Sequence, residues 1–209
     1  LAYKVTKIEK FKDIALETIE YIAKNFLSKE GYFYASQDAD EEYSKLSLKE
    51  RKKTKKPVID KTLFVDFNCY AVNSFLLAFE ILKDNKYKEI ALKCLNFLLK
   101  NLVDKYGVLH FYDNESHSPY LLKNQLLLIQ SLLSTNDKIY IKKAEEIMEI
   151  TINNFYSKKE NLFYDLKDSE DSFGYLKIKK IYPEDNSLAV KVFLNLFKRT
   201  NNKKYHRVI

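Results

Sequence analysis

The chain has 209 residues, 46% hydrophobic and 31% charged, with a net charge of +7. That is the composition of a globular domain, and it excludes a disordered or collagen-like polymer. Three glycines leave no phosphate-cradling loop, and His110, His117 and His206 have no metal-ligand spacing with each other or with the two cysteines. The start, "LAYKVTKIEKF", has no apolar h-region and no Met, so it reads as a cut or processed chain rather than a signal peptide. No uninterrupted apolar run approaches the ~18 residues of a membrane span.

Residues 8–26 carry an amphipathic stripe through Ile8, Phe11, Ala15, Ile19, Ile22 and Phe26, which predicts a helix with one buried face. A long connection over 28–65 follows, with Tyr32-Phe33-Tyr34, then Gln37-Asp38-Ala39-Asp40, then the Lys-rich run "LKERKKTKKP" over 48–57. Segment 67–82 is apolar nearly all round, as expected of an interior helix, and 87–102 returns to the amphipathic pattern. The series repeats. A loop over 104–118 contains Phe111-Tyr112, 120–133 is apolar throughout and 141–155 is amphipathic; a loop over 157–186 contains Phe163-Tyr164, and 188–197 is apolar again. "LKDNKYKEIALK", "STNDKIYIKKAEE" and "RTNNKKYHRVI" each pair an Asn-rich turn with a Tyr-bearing helix start, and "YKVTKIEKFKDIA" is a weaker copy. Cys69 and Cys94 fall inside helical patterns and read as buried thiols of a reducing cytoplasm.

Outer and inner helices therefore alternate. The predicted fold is all-α, a partial (α/α) toroid of about three to four helical hairpins, with short strands in the long loops. Residues 1–209 form one domain, expected to be a piece of a longer chain. All three long connections precede inner helices, so they share one end of the molecule, and long loops are where function usually sits. An open toroid would also expose apolar flanks, to be covered by a second copy or a companion domain.

That end gathers carboxylates and aromatic rings, a combination suited to sugars: ring faces pack on C–H faces and hydroxyls donate to carboxylates. Asp38, Asp40 and Asp66 are the candidate catalytic residues, since paired carboxylates serve as acid and base in glycoside hydrolysis. Tyr34, Gln37, Phe67, Asn68, Tyr112, Tyr120 and Asn186 are the candidate substrate contacts. Each has a structural alternative. Asp66 and Asn186 could be N-caps, Asp38 and Asp40 could fix a turn, and the repeated Phe-Tyr pairs could be scaffold. No metal, cofactor or membrane is implied. Nucleic-acid binding through 48–57 ranks last, because nearly all the cations are Lys and Arg is the preferred phosphate reader. His110 and His117 share the second long loop, so either could serve in acid–base work, although a surface or packing role is the more usual one for such a histidine.

Two stretches, "FYASQDADEE" and "KPVIDKTLFVDFNCY", resemble a family that joins a thioredoxin-like domain to a six-hairpin (α/α) toroid, the spermatogenesis-associated thioredoxin-domain proteins among them. The family's Ser-x-Gln-Asp-Ala-Asp is matched by Ser36, Gln37, Asp38, Ala39 and Asp40. Pro57, Asp60 and Asn68 match a second motif, with Phe67 standing for its Trp, Thr62 for its Lys and Cys69 for its Gly. Pro183, Asn186 and Ser187 match a third, with Asp185 in place of Gly. Lys123 stands where a further family motif has an acid, and this chain has no Cys-x-x-Cys. The resemblance implies a toroid like those of six-hairpin glycosidases and N-acylglucosamine 2-epimerases, hence a hydrolase- or epimerase-type domain. The alternative is a degenerate relative that keeps the fold as a non-catalytic interaction module.

Overall fold

The structure is a computed structural model that describes residues 1–39, 41–117, 119–167 and 174–207, without the side chains of 176, 206 and 207. It opens with α1 (Ala2–Thr6) and α2 (Glu9–Phe26). The first long connection holds β1 (Ser36–Gln37), α3 (Glu41–Lys45), α4 (Leu48–Arg51), β2 (Ile59–Asp60) and β3 (Leu63–Phe64). Inner helix α5 (Val65–Leu82) and outer helix α6 (Asn85–Asn101) follow. The second connection contains β4 (Val103–Asp104), β5 (Gly107–Val108), β6 (Phe111–Tyr112) and β7 (Ser116–His117), before α7 (Leu122–Ser134) and α8 (Lys138–Phe155). The third contains β8 (Tyr156–Ser157), β9 (Leu162–Phe163) and a 3-10 turn at Gly174–Lys177, before α9 (Pro183–Thr200) and α10 (Lys204–Arg207). All paired strands are antiparallel and short, as expected for loop-borne hairpins.

Helices α5, α7 and α9 stand side by side as the inner layer, and α2, α6 and α8 form the outer one. Each inner helix ends in a tight turn with a left-handed residue: Lys83 at φ 60°, Asn136 at φ 59° and Asn201 at φ 54°. Lys7 at φ 59° ends α1 in the same way. The side chains of Asp84, Asp137 and Asn202 then accept the backbone N–H two residues on, which starts the next outer helix. The Tyr that recurs after each turn stitches the outer layer together. Tyr87 Oη donates to Glu20 of α2 at 2.9 Å, Tyr140 Oη to Asn96 of α6 at 2.9 Å and Tyr205 Oη to Glu145 of α8 at 3.2 Å.

A second repeated device joins each long connection to its inner helix. The side-chain amide of Asn68 accepts the Phe33 N–H at 2.7 Å and donates to the Phe33 carbonyl at 2.9 Å and the Phe64 carbonyl at 3.0 Å. Gln125 makes the same three bonds with Val108 and Leu121, and Asn186 makes them with Phe163 and Tyr182. Each clamped residue closes a hairpin: Leu27 faces Phe33, Val103 faces Val108 and Tyr156 faces Phe163. The clamp saves buried backbone groups from going unpaired, at a cost of about 1–3 kcal/mol each if lost.

Burial follows the two-layer plan unevenly. α7 is enclosed along ten of its residues, because α5 and α9 pack on its two sides. The other apolar helices are not buried all round, contrary to the sequence expectation. α5 leaves Phe67 and Tyr70 exposed, and α9 leaves Val190 and Leu194 exposed. On α2, Phe11, Ile14 and Tyr21 face solvent while Leu16, Ile19, Ile22, Ala23 and Phe26 touch the core. The physical reason is that α5 and α9 each have an inner neighbour on one side only. α5 is long and apolar enough to cross a membrane, with mean hydropathy 1.3, yet six of its seven buried residues belong to this shared core, the seventh being the clamp Asn68.

Candidate functional site

The amino ends of α5, α7 and α9 converge on one side chain, Lys123. Its Nζ lies 3.4 Å from Asp66 Oδ2 and 5.9 Å from the centroid of the Tyr70 ring. Asp66 sits in the first turn of α5, and its other oxygen accepts the Phe67 N–H at 2.9 Å. Two further titratable groups feel the same ammonium. Burial pushes the Asp185 carboxyl above the usual Asp range; Lys123 opposes this, and Asp165 and Glu184 add to it. Burial pulls the His110 imidazole below the usual His value, with Asp66 opposing and Lys123 reinforcing.

Repeat geometry explains how these groups meet. His110 and Asp165 occupy matching positions, each two residues beyond a clamped hairpin residue. The His110 carbonyl accepts the first N–H of α5 at 3.1 Å, and the Asp165 carbonyl accepts the first N–H of α7 at 2.8 Å. The second and third connections thus each deliver a titratable side chain to the amino end of the preceding inner helix. The His110 ring is held through Nδ1, 3.0 Å from Asn124 Nδ2. Asn124 is 1% exposed, and its Oδ1 has no hydrogen-bond partner among the described residues. As placed, the Asn124 amide donates to Nδ1, so a neutral ring carries its proton on Nε2; turned the other way, the amide oxygen would accept an Nδ1–H and leave Nε2 as the free acceptor.

The sequence-derived site separates into parts. Asp38 and Asp66 do not share a pocket. Asp38 is exposed and lines a cleft of about 540 Å³ with Glu42, Tyr43, Leu46 and residues 54–58. This follows from the pairing of β1 with β2, which folds the Lys-rich excursion back beside it. Asp40 lies outside the described residues. Asn68 and Asn186 are corrected from substrate contacts to hairpin clamps: Asn68 is fully buried, and both amides are spent on backbone. Neither Asn186 nor Asp66 is an N-cap; Tyr182 and Phe64 hold those positions.

Gln37 accepts from Tyr21 Oη at 3.0 Å and donates to the Pro57 carbonyl at 3.0 Å, so it holds the excursion in place. Tyr34 and Tyr112 both pack edge-on against Tyr32, and Tyr112 also meets Phe97. Tyr120 Oη donates to Asp104 of the β4–β5 hairpin at 2.6 Å, and its phenol is held above its usual range mainly by burial. Phe67, half exposed, remains open beside Asp66. Sequence reasoning passed over Lys123, Asp185 and Tyr70, and His110 was left undecided. Aligning the repeats on their amide clamps would have found the first two: Asp66, Lys123 and Glu184 fall at one helix position, and Phe67, Asn124 and Asp185 at the next. Among the described residues no group of three His, Cys, Asp or Glu could hold a metal ion.

No family model matches the sequence, and no curated protein matches it. The fold is similar to solved (α/α) toroids. Cellobiose 2-epimerase from Bacillus thermoamylovorans B4167 superposes with TM-score 0.74 at 15% identity, over 97% of this chain and 53% of that one. A family 105 glycoside hydrolase from C. acetobutylicum ATCC 824 gives 0.74 at 13% identity, over 99% and 57%. The unsaturated glucuronyl hydrolase from Bacillus sp. GL1 gives 0.70 at 12% identity, over 100% and 55%. The chain spans about half the length of these structures. At such identities the likeness establishes the six-hairpin type of α/α fold, and the neighbours are carbohydrate-processing hydrolases and epimerases.

Proposed function

We propose that this toroid binds and processes a carbohydrate at the amino ends of α5, α7 and α9, with hydrolase- or epimerase-type acid–base chemistry. The observation that carries the reading is the opposite drift of two titratable groups around Lys123. Asp185 is driven toward its protonated form and His110 toward its neutral form. A proton donor and a proton acceptor kept apart by environment are what acid–base catalysis requires. In this reading Asp185 gives a proton to a leaving or ring oxygen, and His110, with the Asn124 amide turned so that its oxygen accepts Nδ1–H, takes one on Nε2. Lys123 and Asp66 fix sugar hydroxyls, and the exposed faces of Phe67 and Tyr70 pack on the ring C–H groups. The carbohydrate enzymes that share the fold support the substrate class.

The test is a panel of oligosaccharides, with products read by chromatography for wild type, Asp185→Asn and His110→Asn. Turnover should fall by about 100-fold or more in each variant. Unchanged turnover in both would remove the acid–base assignment.

A second reading, a non-catalytic binding module, is favoured by Asp66, whose two oxygens are occupied by the Phe67 N–H and Lys123. It predicts saccharide-dependent thermal stabilisation, lost in Asp66→Asn, with no product from any sugar. The finer link to thioredoxin-joined toroids rests on the Ser36–Ala39 and Pro57 motifs, and the bond from Gln37 to the Pro57 carbonyl supports treating them as one unit. A cytoplasmic setting accords with Cys69 and Cys94, both free and buried. A second copy or companion domain would cover the open flanks of α2 and α9.

A further inference from the structure

Residues 49–56 hold six Lys or Arg against one acid, so this stretch carries five of the chain's seven net positive charges. The stretch is braced. Ser47 and Glu50 cap α4 reciprocally, which spends the only acid on the helix start. Arg51 donates to the Ser44 carbonyl at 2.6 Å and the Leu46 carbonyl at 2.9 Å and lies 5.5 Å from the Tyr43 ring centroid. Lys49, Lys52, Lys53, Lys55 and Lys56 have no ion-pair partner among the described residues. Lys55 and Lys56 line a cleft of about 540 Å³ together with Asp38, Glu42, Tyr43, Leu46, Thr54, Pro57 and Val58. Glu42 is paired with Lys45 at 3.2 Å, whereas the Asp38 carboxylate makes no hydrogen bond or ion pair with any of the described residues.

We infer that this cleft binds an acidic sugar unit, and that the lysines beyond it guide an anionic glycan. The inference rests on the carbohydrate reading above and names the glycan class. A carboxylated sugar meets each surface with a matching group. Its carboxylate faces Lys55 and Lys56, its hydroxyls donate to Asp38, and its C–H face lies on Tyr43. The free ammoniums form a sequence-blind electrostatic track of the kind that raises local polyanion concentration. Along the chain, the last residue of the cleft, Val58, is eight residues before Asp66, a reach of at most about 29 Å.

The experiment is titration calorimetry of the whole chain with oligogalacturonate, a sulfated heparin oligosaccharide, a neutral cello-oligosaccharide and a single-stranded oligonucleotide of matched charge. Oligogalacturonate should bind, weaken with added salt and lose at least tenfold in affinity in K55Q/K56Q and in Asp38→Asn. Tighter binding of the sulfated glycan, with the same variant losses, keeps the anionic-glycan track and moves the charged group from carboxylate to sulfate. The inference is overturned if the neutral glycan binds as well as the acidic one, if K55Q/K56Q binds like wild type, or if the oligonucleotide outcompetes both glycans. The central-site reading fails separately: Asp185→Asn and His110→Asn would then leave neutral-sugar turnover unchanged whatever the cleft does.

Discussion

At the scale of single residues, burial sets the electrostatics of the site, and Lys123 is the charge that Asp185 and His110 share. A carboxyl whose proton affinity is higher in the folded chain holds its proton there after the unfolded chain has released it. Stability therefore falls as pH rises from the ordinary Asp value of about 3.9 through the raised folded value. Asp185→Asn should remove that fall, and denaturant melts across the acidic range should show a flatter profile for the variant with equal or greater stability at neutral pH. His110 acts in the opposite sense. Its folded-state value is lowered, so its contribution is lost as pH drops below the ordinary His value of about 6.5, and His110→Asn should reduce the acid sensitivity in that window.

A glycine tests the clamp. Gly107 has φ +132°, and a Cβ there would stand 2.7 Å from Gln125 Oε1, the atom that accepts the Val108 N–H. Gly107→Ala should cost more than about 1 kcal/mol in urea unfolding. Gly174→Ala, where a Cβ meets nothing within 4 Å, should cost only the strain of its positive φ.

Among elements, the recurring units are the amide clamp and the tyrosine stitch, and their legibility differed. The tyrosines were visible as a repeated marker after each Asn-rich turn, but the sequence could not say what their hydroxyls reach, since Glu20, Asn96 and Glu145 lie on the preceding outer helix. Tyr87→Phe, Tyr140→Phe and Tyr205→Phe should each lower stability by about 1 kcal/mol, with near-additive sums because the three sites are far apart in sequence and on different helix pairs. The helices themselves were readable to within a few residues, because 3.6-residue periodicity survives in the outer helices and all-round apolarity marks the inner ones.

The clamps were hidden. Asn68, Gln125 and Asn186 differ in side-chain length, and their partners lie 35, 17 and 23 residues away. Two of the three consequently looked like ligand contacts. Asn68→Leu should cost about 3 kcal/mol, since it strands the Phe33 N–H and carbonyl in a buried setting.

For the whole molecule, the two-layer order brings all three long connections to one end, as the alternation of helix types implied. The division of that end into a central cluster and a side cleft was not legible, because it depends on β1 pairing with β2 across an excursion that no periodicity describes. At the two flanks of the layers, α2 and α9 leave apolar side chains exposed, among them Phe11, Ile14, Val190 and Leu194.

The central claim is that the amino ends of α5, α7 and α9 act together as one saccharide site. Its most direct test is amide chemical-shift mapping of the 15N-labelled chain during titration with the best-binding neutral oligosaccharide. Perturbations gathered at residues 65–70, 110, 122–124 and 184–186 are the predicted result. Perturbations confined to 38–58, or scattered over the outer helices, would contradict it.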